Sequence, residues 1–434
     1  MKLLYIGDNS DSLNLGCRAT SIALRQLAAR HAQFIGTVPT RMIAARWPIS
    51  DRIGDKPYGT LARVLNTNRA RAVPVAGALV GRVMDALGTR DAITHDLARN
   101  AEVLERAQSW NADARQLMAW LDEADGALVN GEGDLIFGTP ARQRLLFILT
   151  LCRMLLGRGK KLYYLNAMAS PAPGQQPNRE TLAIADEVLS RADAFSLRDP
   201  VSLEFAREHL PQAAAKARVF PDAVFAWHRY ALGDGAGPYD HERLVPFYER
   251  TGIAMPEVLR HPYILVGGSS RSAYEPARAV EAYVGLVEAL KQFGMGIALL
   301  PGCTGDFFLN QVSERTGTTY LSIKASILTQ AAILGHARLY VSGRWHPSIM
   351  AALGGTPCVF MGSNSHKILA LQHMLGYPQP HEYSPWPDAA EQEAMMGEAA
   401  RLLGEGGAVR GRIAARAQAL GEEATLMINP LAEA

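Results

Sequence analysis

Short apolar runs that end in a glycine, serine or charged turn and then give way to an amphipathic helix recur along this chain. That alternation restricts the fold more than any single motif does. Residues 3–7, 127–130, 161–166, 194–199 and 218–220 form one set of such runs; residues 263–267, 297–300, 337–341 and 356–361 form a second. The runs are continuously apolar rather than alternating, which is the pattern of strands covered on both faces of a parallel sheet. Between them, Leu15, Ala19, Ile22, Ala23 and Leu27 fall on one helical face, as do Tyr283, Leu286, Val287 and Leu290, and again Ile327, Leu328, Ala331 and Leu334. Strand–helix alternation of this kind predicts an α/β fold with two Rossmann-like domains whose parallel sheets face a cleft.

A glycine-rich stretch at 233–238 marks the expected linker. The boundaries that follow are residues 1–232, with a helical insertion at about 40–125, then residues 240–380. Helices over 385–434 are expected to pack back across both domains. At 434 residues the chain is long enough for two cores. With 48% apolar and 20% charged residues it reads as globular, and a net charge of +2 gives no broad basic field for nucleic acid. Its four cysteines, Cys17, Cys152, Cys303 and Cys358, are far apart and form no CxxC, so no metal site is expected and reduced thiols in a cytoplasmic protein are. The start of the chain lacks the apolar core of a signal peptide. The apolar stretch 145–156 is shorter than the roughly 20 residues that span a bilayer and predicts a buried helix. Its basic end leaves peripheral membrane contact as the alternative.

In open α/β sheets, ligands bind beyond the carboxyl ends of the strands, so the turns there carry the candidate chemistry. Ser342-Gly343-Arg344-Trp345-His346-Pro347 delivers a guanidinium and a titratable imidazole to one such turn. On an extended segment Arg344 and His346 share a face, and the free N–H groups of the next helix favour an anion. His366 and Lys367 follow another strand end, with Ser363, Asn364 and Ser365 as possible N-caps, and Lys367 is a point charge suited to phosphate. Arg198 offers a fork for carboxylate or phosphate, with a surface ion pair as the alternative. Asp199 before Pro200 reads as an N-cap.

In Asn130-Gly131-Glu132-Gly133-Asp134 the glycines permit close approach and Glu132 is a possible base, though the GxG is too short for a dinucleotide fingerprint. Asn14 and Gly16 open the first helix, Gly16 for close approach. Cys17 reads as a packing residue, or as a nucleophile if its pKa were lowered. Gly267-Gly268-Ser269-Ser270-Arg271 could hold a phosphate or nucleotide, and Asp222 after Pro221 is a further carboxylate. No Walker loop, HExxH or GxSxG motif occurs.

Taken in order, Asn14-Leu15-Gly16, Asn130-Gly131-Glu132-Gly133, Ser196-Leu197-Arg198-Asp199, Pro221-Asp222 and Arg344-Trp345-His346 with Gly354-Gly355-Thr356-Pro357 resemble the polysaccharide pyruvyltransferase family. The chain departs from the pattern at Cys17, where an acid is usual, and at Trp345, where a smaller residue is usual. The resemblance implies a GT-B-like fold. It also implies transfer of the pyruvyl unit of phosphoenolpyruvate to hydroxyls of a surface polysaccharide or its lipid-linked precursor, forming a ketal. Arg198, His346 and Lys367 would then take phosphoenolpyruvate, beside Arg344, Asn14, Gly16 and Ser269 as further substrate contacts. His346 would be the proton donor, with Glu132 or Asp222 as the base on the acceptor side. No cofactor or metal is required. A GT-B glycosyltransferase with a nucleotide-sugar donor is the alternative, and a non-catalytic sugar-binding relative is a third.

Overall fold

The computed structural model describes residues 1–39, 42, 49–50, 89–90, 93–109, 111–230, 239–250 and 252–433. Six strands form the first sheet: β1 (Lys2–Asp8), β2 (Gln33–Pro39), β3 (Gly126–Asn130), β4 (Lys161–Ala167), β5 (Ala194–Leu197) and β6 (Arg218–Val219). They run in the order β6–β5–β4–β3–β1–β2, every neighbour parallel. Five strands form the second: β7 (Tyr263–Ser269), β8 (Gly296–Leu299), β9 (Thr319–Tyr320), β10 (Leu339–Gly343) and β11 (Cys358–Phe360). Their order is β9–β8–β7–β10–β11, again all parallel.

Both central strands are buried almost throughout: β1 is exposed only at Lys2, and β7 not at all. That is why their sequences carry no polar alternation. The connecting helices bury the faces their spacing indicated. In Leu15–Ala28 the residues Leu15, Ala19, Ala23 and Leu27 are buried, and in Pro276–Leu290 so are Tyr283, Leu286, Val287 and Leu290. Helix Ile327–His336 departs from its pattern. It buries Ile333 and Leu334 but leaves Leu328 39% exposed, because helix Trp345–Leu353 packs against another side of it.

Helix Gln143–Gly157 is covered nearly all round, from Leu145 to Leu155. Its apolar surface is buried in the core, as the buried-helix expectation has it. Among the described residues no helix is long and apolar enough to cross one. The linker expected at 233–238 lies outside the described residues, as does most of the segment expected to be a helical insertion. The described end of that segment holds helices Leu97–Ala107 and Ala112–Glu123. Near the end of the chain, helix Gly407–Thr425 lies against the 3-10 segment Ala223–Tyr230 and against Trp345–Leu353. A Cβ on Gly421 would come within 2.5 Å of the Phe225 carbonyl oxygen, so only glycine permits that contact.

Strand order reverses between β1 and β3 in the first sheet, and between β7 and β10 in the second. A crevice opens at such a reversal, because the helices on either side leave in opposite directions. The loops after β1, β3, β7 and β10 therefore meet at one place, and the two halves close over it. Leu15 N–H donates to the Gly302 carbonyl at 2.8 Å, and an Arg18 N–H to the Ala325 carbonyl at 3.2 Å.

Candidate functional site

A cleft of about 280 Å³ lies where those loops meet. The first half contributes Asn14, Gly16, Cys17, Glu132, Arg142 and Arg198; the second contributes Ser270, Arg344, Trp345, His346, Asn364 and Lys367. Seven of the nine residues expected to form a site line it: Asn14, Gly16, Glu132, Arg198, Arg344, His346 and Lys367. Asp222 and Ser269 do not.

Asp222 lies under the floor, fully buried. One of its oxygens meets three groups: His346 Nε2 at 3.2 Å, Arg198 NH1 at 3.1 Å and Trp345 Nε1 at 3.3 Å. Its other oxygen accepts the Val224 N–H at 3.0 Å. Burial alone would raise the Asp222 carboxyl, but His346 and then Arg198 outweigh it and hold it well below the usual carboxylate range. The expectation of Asp222 as an acceptor-side base is therefore corrected. A carboxylate this acidic and with these partners orients other groups rather than taking a proton. It accepts from Nε2–H of His346, which fixes the ring and leaves Nδ1 on its far side. Nδ1 faces Gly16, where an added Cβ would stand 2.3 Å away. Close approach is thus the role of Gly16, but the approaching group is the imidazole.

The element that carries His346 also differs from expectation. Helix Trp345–Leu353 begins directly after β10, with Arg344 as its extended N-cap (φ −102°, ψ 122°). Arg344 and His346 therefore do not share one face of a strand; the turn of the helix brings both to the cleft. Arg344 forks onto Asp306, Nε to Oδ2 at 3.1 Å and NH2 to Oδ1, and burial that would discharge it is overcome by that carboxylate. Its main work is to hold the turn. Asp306 follows β8 and was missed in the sequence; a carboxylate in the turn after a strand was the available signal. The same Asp306 explains Gly268, where a Cβ would fall 1.9 Å from Oδ1. Beside it, Ser269 is buried, with its hydroxyl donating to the Gly362 carbonyl at 2.5 Å. The end of β7 is therefore shaped by packing, and the expected ligand contact at Ser269 is corrected to its neighbour Ser270, which does line the cleft.

Arg198, expected at a strand end, is 2% exposed. Its guanidinium lies 5.0 Å from the Trp345 ring centre, in cation–π reach. Among the described residues its buried Nε has no protein partner, and NH2 meets only the Met168 sulfur at 3.7 Å. A buried guanidinium with donors to spare at a cleft wall calls for an acceptor oxygen.

Asp199 caps helix Pro200–His209 as expected, accepting Ser202 N–H at 2.8 Å. It also accepts from His366 Nε2 of the other half at 3.0 Å. Burial would raise the Asp199 carboxyl, but His366 and Ser202 lower it. None of Ser363, Asn364 or Ser365 caps helix Lys367–Met374, whose N-cap is His366. Asn364 Oδ1 instead accepts from Lys367 Nζ at 2.7 Å. Burial, with the Arg198 and Arg344 charges, lowers the Lys367 ammonium to about 7.

Across the cleft, Glu132 has φ +34°, a region that side chains other than glycine seldom adopt. Its two oxygens accept from Cys17 Sγ at 2.9 Å and from Asn9 Nδ2 at 3.0 Å. Burial and then Glu132 push the Cys17 thiol well up, so Cys17 is a donor to Glu132 and not a nucleophile. Backbone strain of this kind, of order 1–3 kcal/mol, persists where the surroundings impose a carboxylate at one place. Among the described residues no group of three or more His, Cys, Asp or Glu side chains could hold a metal ion.

No curated protein matches the chain. Among solved structures, a protein of Listeria monocytogenes assigned as a UDP-N-acetylglucosamine 2-epimerase is similar with a TM-score of 0.50 at 12% identity, over 99% of this chain and 94% of that one. The HepE protein of Anabaena, solved in complex with UDP, is similar with a TM-score of 0.50 at 12% identity, over 100% and 99%. At this identity the likeness is to the fold alone, and that fold is GT-B. The sequence profile of polysaccharide pyruvyl transferases matches residues 14–365, a span that reaches from the Asn14 cap of the first helix almost to Lys367. The chain belongs to the polysaccharide pyruvyl transferase family.

Proposed function

We propose that this protein transfers the pyruvyl unit of phosphoenolpyruvate to two hydroxyls of a saccharide, forming a ketal and releasing phosphate. The observation that carries this reading is the buried set Asp222–His346–Arg198, assembled from both halves, with Arg198 and His346 lining the cleft and Asp222 beneath them. Phosphoenolpyruvate brings a carboxylate and a phosphate. Arg198, with donors to spare, and Lys367, with no carboxylate partner among the described residues, suit that load, as does the open N-terminus of helix Trp345–Leu353.

The chemistry begins with a proton delivered to the methylene carbon, which places positive charge on C2 and invites a hydroxyl to attack there. His346 Nδ1 is the donor, with Asp222 stabilising the imidazolium before transfer. Glu132 takes the proton of the first hydroxyl. In the second half of the reaction the phosphate leaves as the second hydroxyl closes on the same carbon, in one loosely coupled step. Arg198 holds negative charge on the donor throughout. The acceptor lies against the first half, beside Glu132, Asn14 and Arg142, and is a surface polysaccharide or its lipid-linked precursor.

The fold also serves nucleotide-sugar enzymes, and the Anabaena relative holds UDP. Here the last residues of β7 are closed by packing, with the Tyr340 hydroxyl against Gly267 and Asp306 against Gly268, while Ser270 beyond them lines the cleft. The test is calorimetric titration with phosphoenolpyruvate and with UDP, followed by phosphate release across galactose, mannose, glucose, N-acetylmannosamine and glucuronic acid acceptors. Acceptor-dependent phosphate release is expected. Tight UDP binding without phosphoenolpyruvate binding would refute the reading, and so would binding of acceptor alone.

A further inference from the structure

Ketal formation from an enol phosphate moves two protons. Each acceptor hydroxyl loses one; one proton ends on the new methyl group and the other on the departing phosphate. In the reading above, Glu132 accepts the first while His346 supplies the methyl group, and exchange with water resets that pair. The second hydroxyl and the phosphate are left without a carrier.

Lys367 occupies the place where one is needed. It is the first residue of helix Lys367–Met374, on the same wall as Ser270 and Asn364. Its Nζ has the amide oxygen of Asn364 as partner at 2.7 Å, and no carboxylate is within ion-pair distance among the described residues. We propose that Lys367 Nζ is the second proton carrier: as the neutral amine it takes the proton of the second hydroxyl and passes it to the bridging oxygen of the departing phosphate, ending the cycle as it began. In that step the C2–O(phosphate) bond breaks with its electron pair going to phosphate, and the C2–O(hydroxyl) bond forms. This rests on the phosphoenolpyruvate reading.

A lysine that only binds phosphate stays charged. Here the surroundings make the neutral form accessible. Burial acts first, then the guanidinium of Arg198 at the end of β5 and that of Arg344 after β10, bringing the ammonium to about 7. Cys17 and Glu132, across the cleft, oppose them. Glu382, in the loop behind, is itself pushed up to about 7 by burial, against the charges of Lys367, Arg271 and His366. Asn364 matters because it is neutral: an aspartate there would favour the ammonium.

The test uses the full chain, phosphoenolpyruvate and an acceptor on which the unmodified protein releases phosphate. Lys367→Arg keeps a charge that cannot titrate. It is expected to bind phosphoenolpyruvate within about threefold of the parent by calorimetry, yet to lose about 100-fold or more in phosphate release, the scale of one general acid–base group. The kcat limb that rises through about pH 7 should vanish. Acid quench should trap the tetrahedral adduct, with the mass of donor plus acceptor and phosphate still attached. Asn364→Asp should keep the limb but move it up by about one pH unit, as a carboxylate partner does to a cation. The proposal is overturned if Lys367→Arg releases phosphate at the parent rate with an unchanged pH profile, if it simply loses donor binding, or if Asn364→Asp leaves the limb in place. Failure of the unmodified protein to release phosphate from phosphoenolpyruvate on any acceptor strikes instead at the function proposed above.

Discussion

Gly16→Ala adds a single methyl group, and the structure says where it goes. The new Cβ would stand 2.3 Å from His346 Nδ1, 3.0 Å from Cγ and 3.1 Å from Cβ of the same ring. Ordinary contact begins near 3.4 Å, so the imidazole or the first turn of helix Leu15–Ala28 must retreat by about 1 Å. The ring cannot retreat freely, since Nε2 is tied to Asp222 beneath it. A displacement of about 1 Å in a group that meets the reacting atoms costs about 100-fold in rate, or about 2.7 kcal/mol of barrier. Stability should change far less. Alanine is favoured over glycine in a helix by up to about 1 kcal/mol, and overpacking costs about 1–3 kcal/mol, so the two largely offset. Phosphate release from phosphoenolpyruvate under saturating acceptor, with denaturant melts alongside, separates the effects. Gly411→Ala is the control: it lies in helix Gly407–Thr425 with nothing within 4 Å of its Cβ, and should keep full activity. Gly16→Ala retaining more than half of the parental kcat would show that His346 need not sit where it does, and the argument for its role would fail.

Asp222→Asn leaves a buried guanidinium without its counter-charge, and should cost about 3–5 kcal/mol in denaturant unfolding while lowering activity further than any cleft-rim change. Because the folded-state pKa of Asp222 is depressed, its stabilisation is present above the unfolded value near 3.9 and lost as pH falls from there toward the much lower folded value; the stability gap between parent and variant should therefore hold above about pH 4 and narrow steadily as the pH falls below it. Glu132→Gly and Glu132→Ala should both lose activity, but the glycine variant should be the more stable by about 1 kcal/mol, since only it accepts φ +34° without strain. Equal stability in a melting experiment would mean that Glu132 is not strained.

The strand ends and the residues delivered there were readable, because a parallel strand buried on both faces leaves an unbroken apolar run and its carboxyl end is where the sequence turns polar. That logic brought Asn14, Glu132, Arg198, His346 and Lys367 to one cleft from positions more than 350 residues apart. It could not say which way a polar residue at a strand end points. Ser269 and Ser270 are adjacent and look alike in sequence, yet one hydroxyl is closed off against Gly362 and the other lines the cleft. Asp222 was found as a carboxylate near the site and misread as a base, since its partnership with His346 and Trp345 depends on the first and second halves meeting. Arg344 shows the same limit: its partner Asp306 lies 38 residues earlier on a separate turn.

The claim on which everything else depends is that His346 delivers a proton to phosphoenolpyruvate within a cleft built from both halves. Running the reaction in heavy water with an acceptor that supports turnover, and reading deuterium in the methyl group of the ketal by mass spectrometry, tests it directly. The expected result is one deuterium in each product methyl group for the parent protein, and loss of both product and phosphate release in His346→Ala with donor binding retained. Ketal formation at the parental rate by His346→Ala would contradict the account.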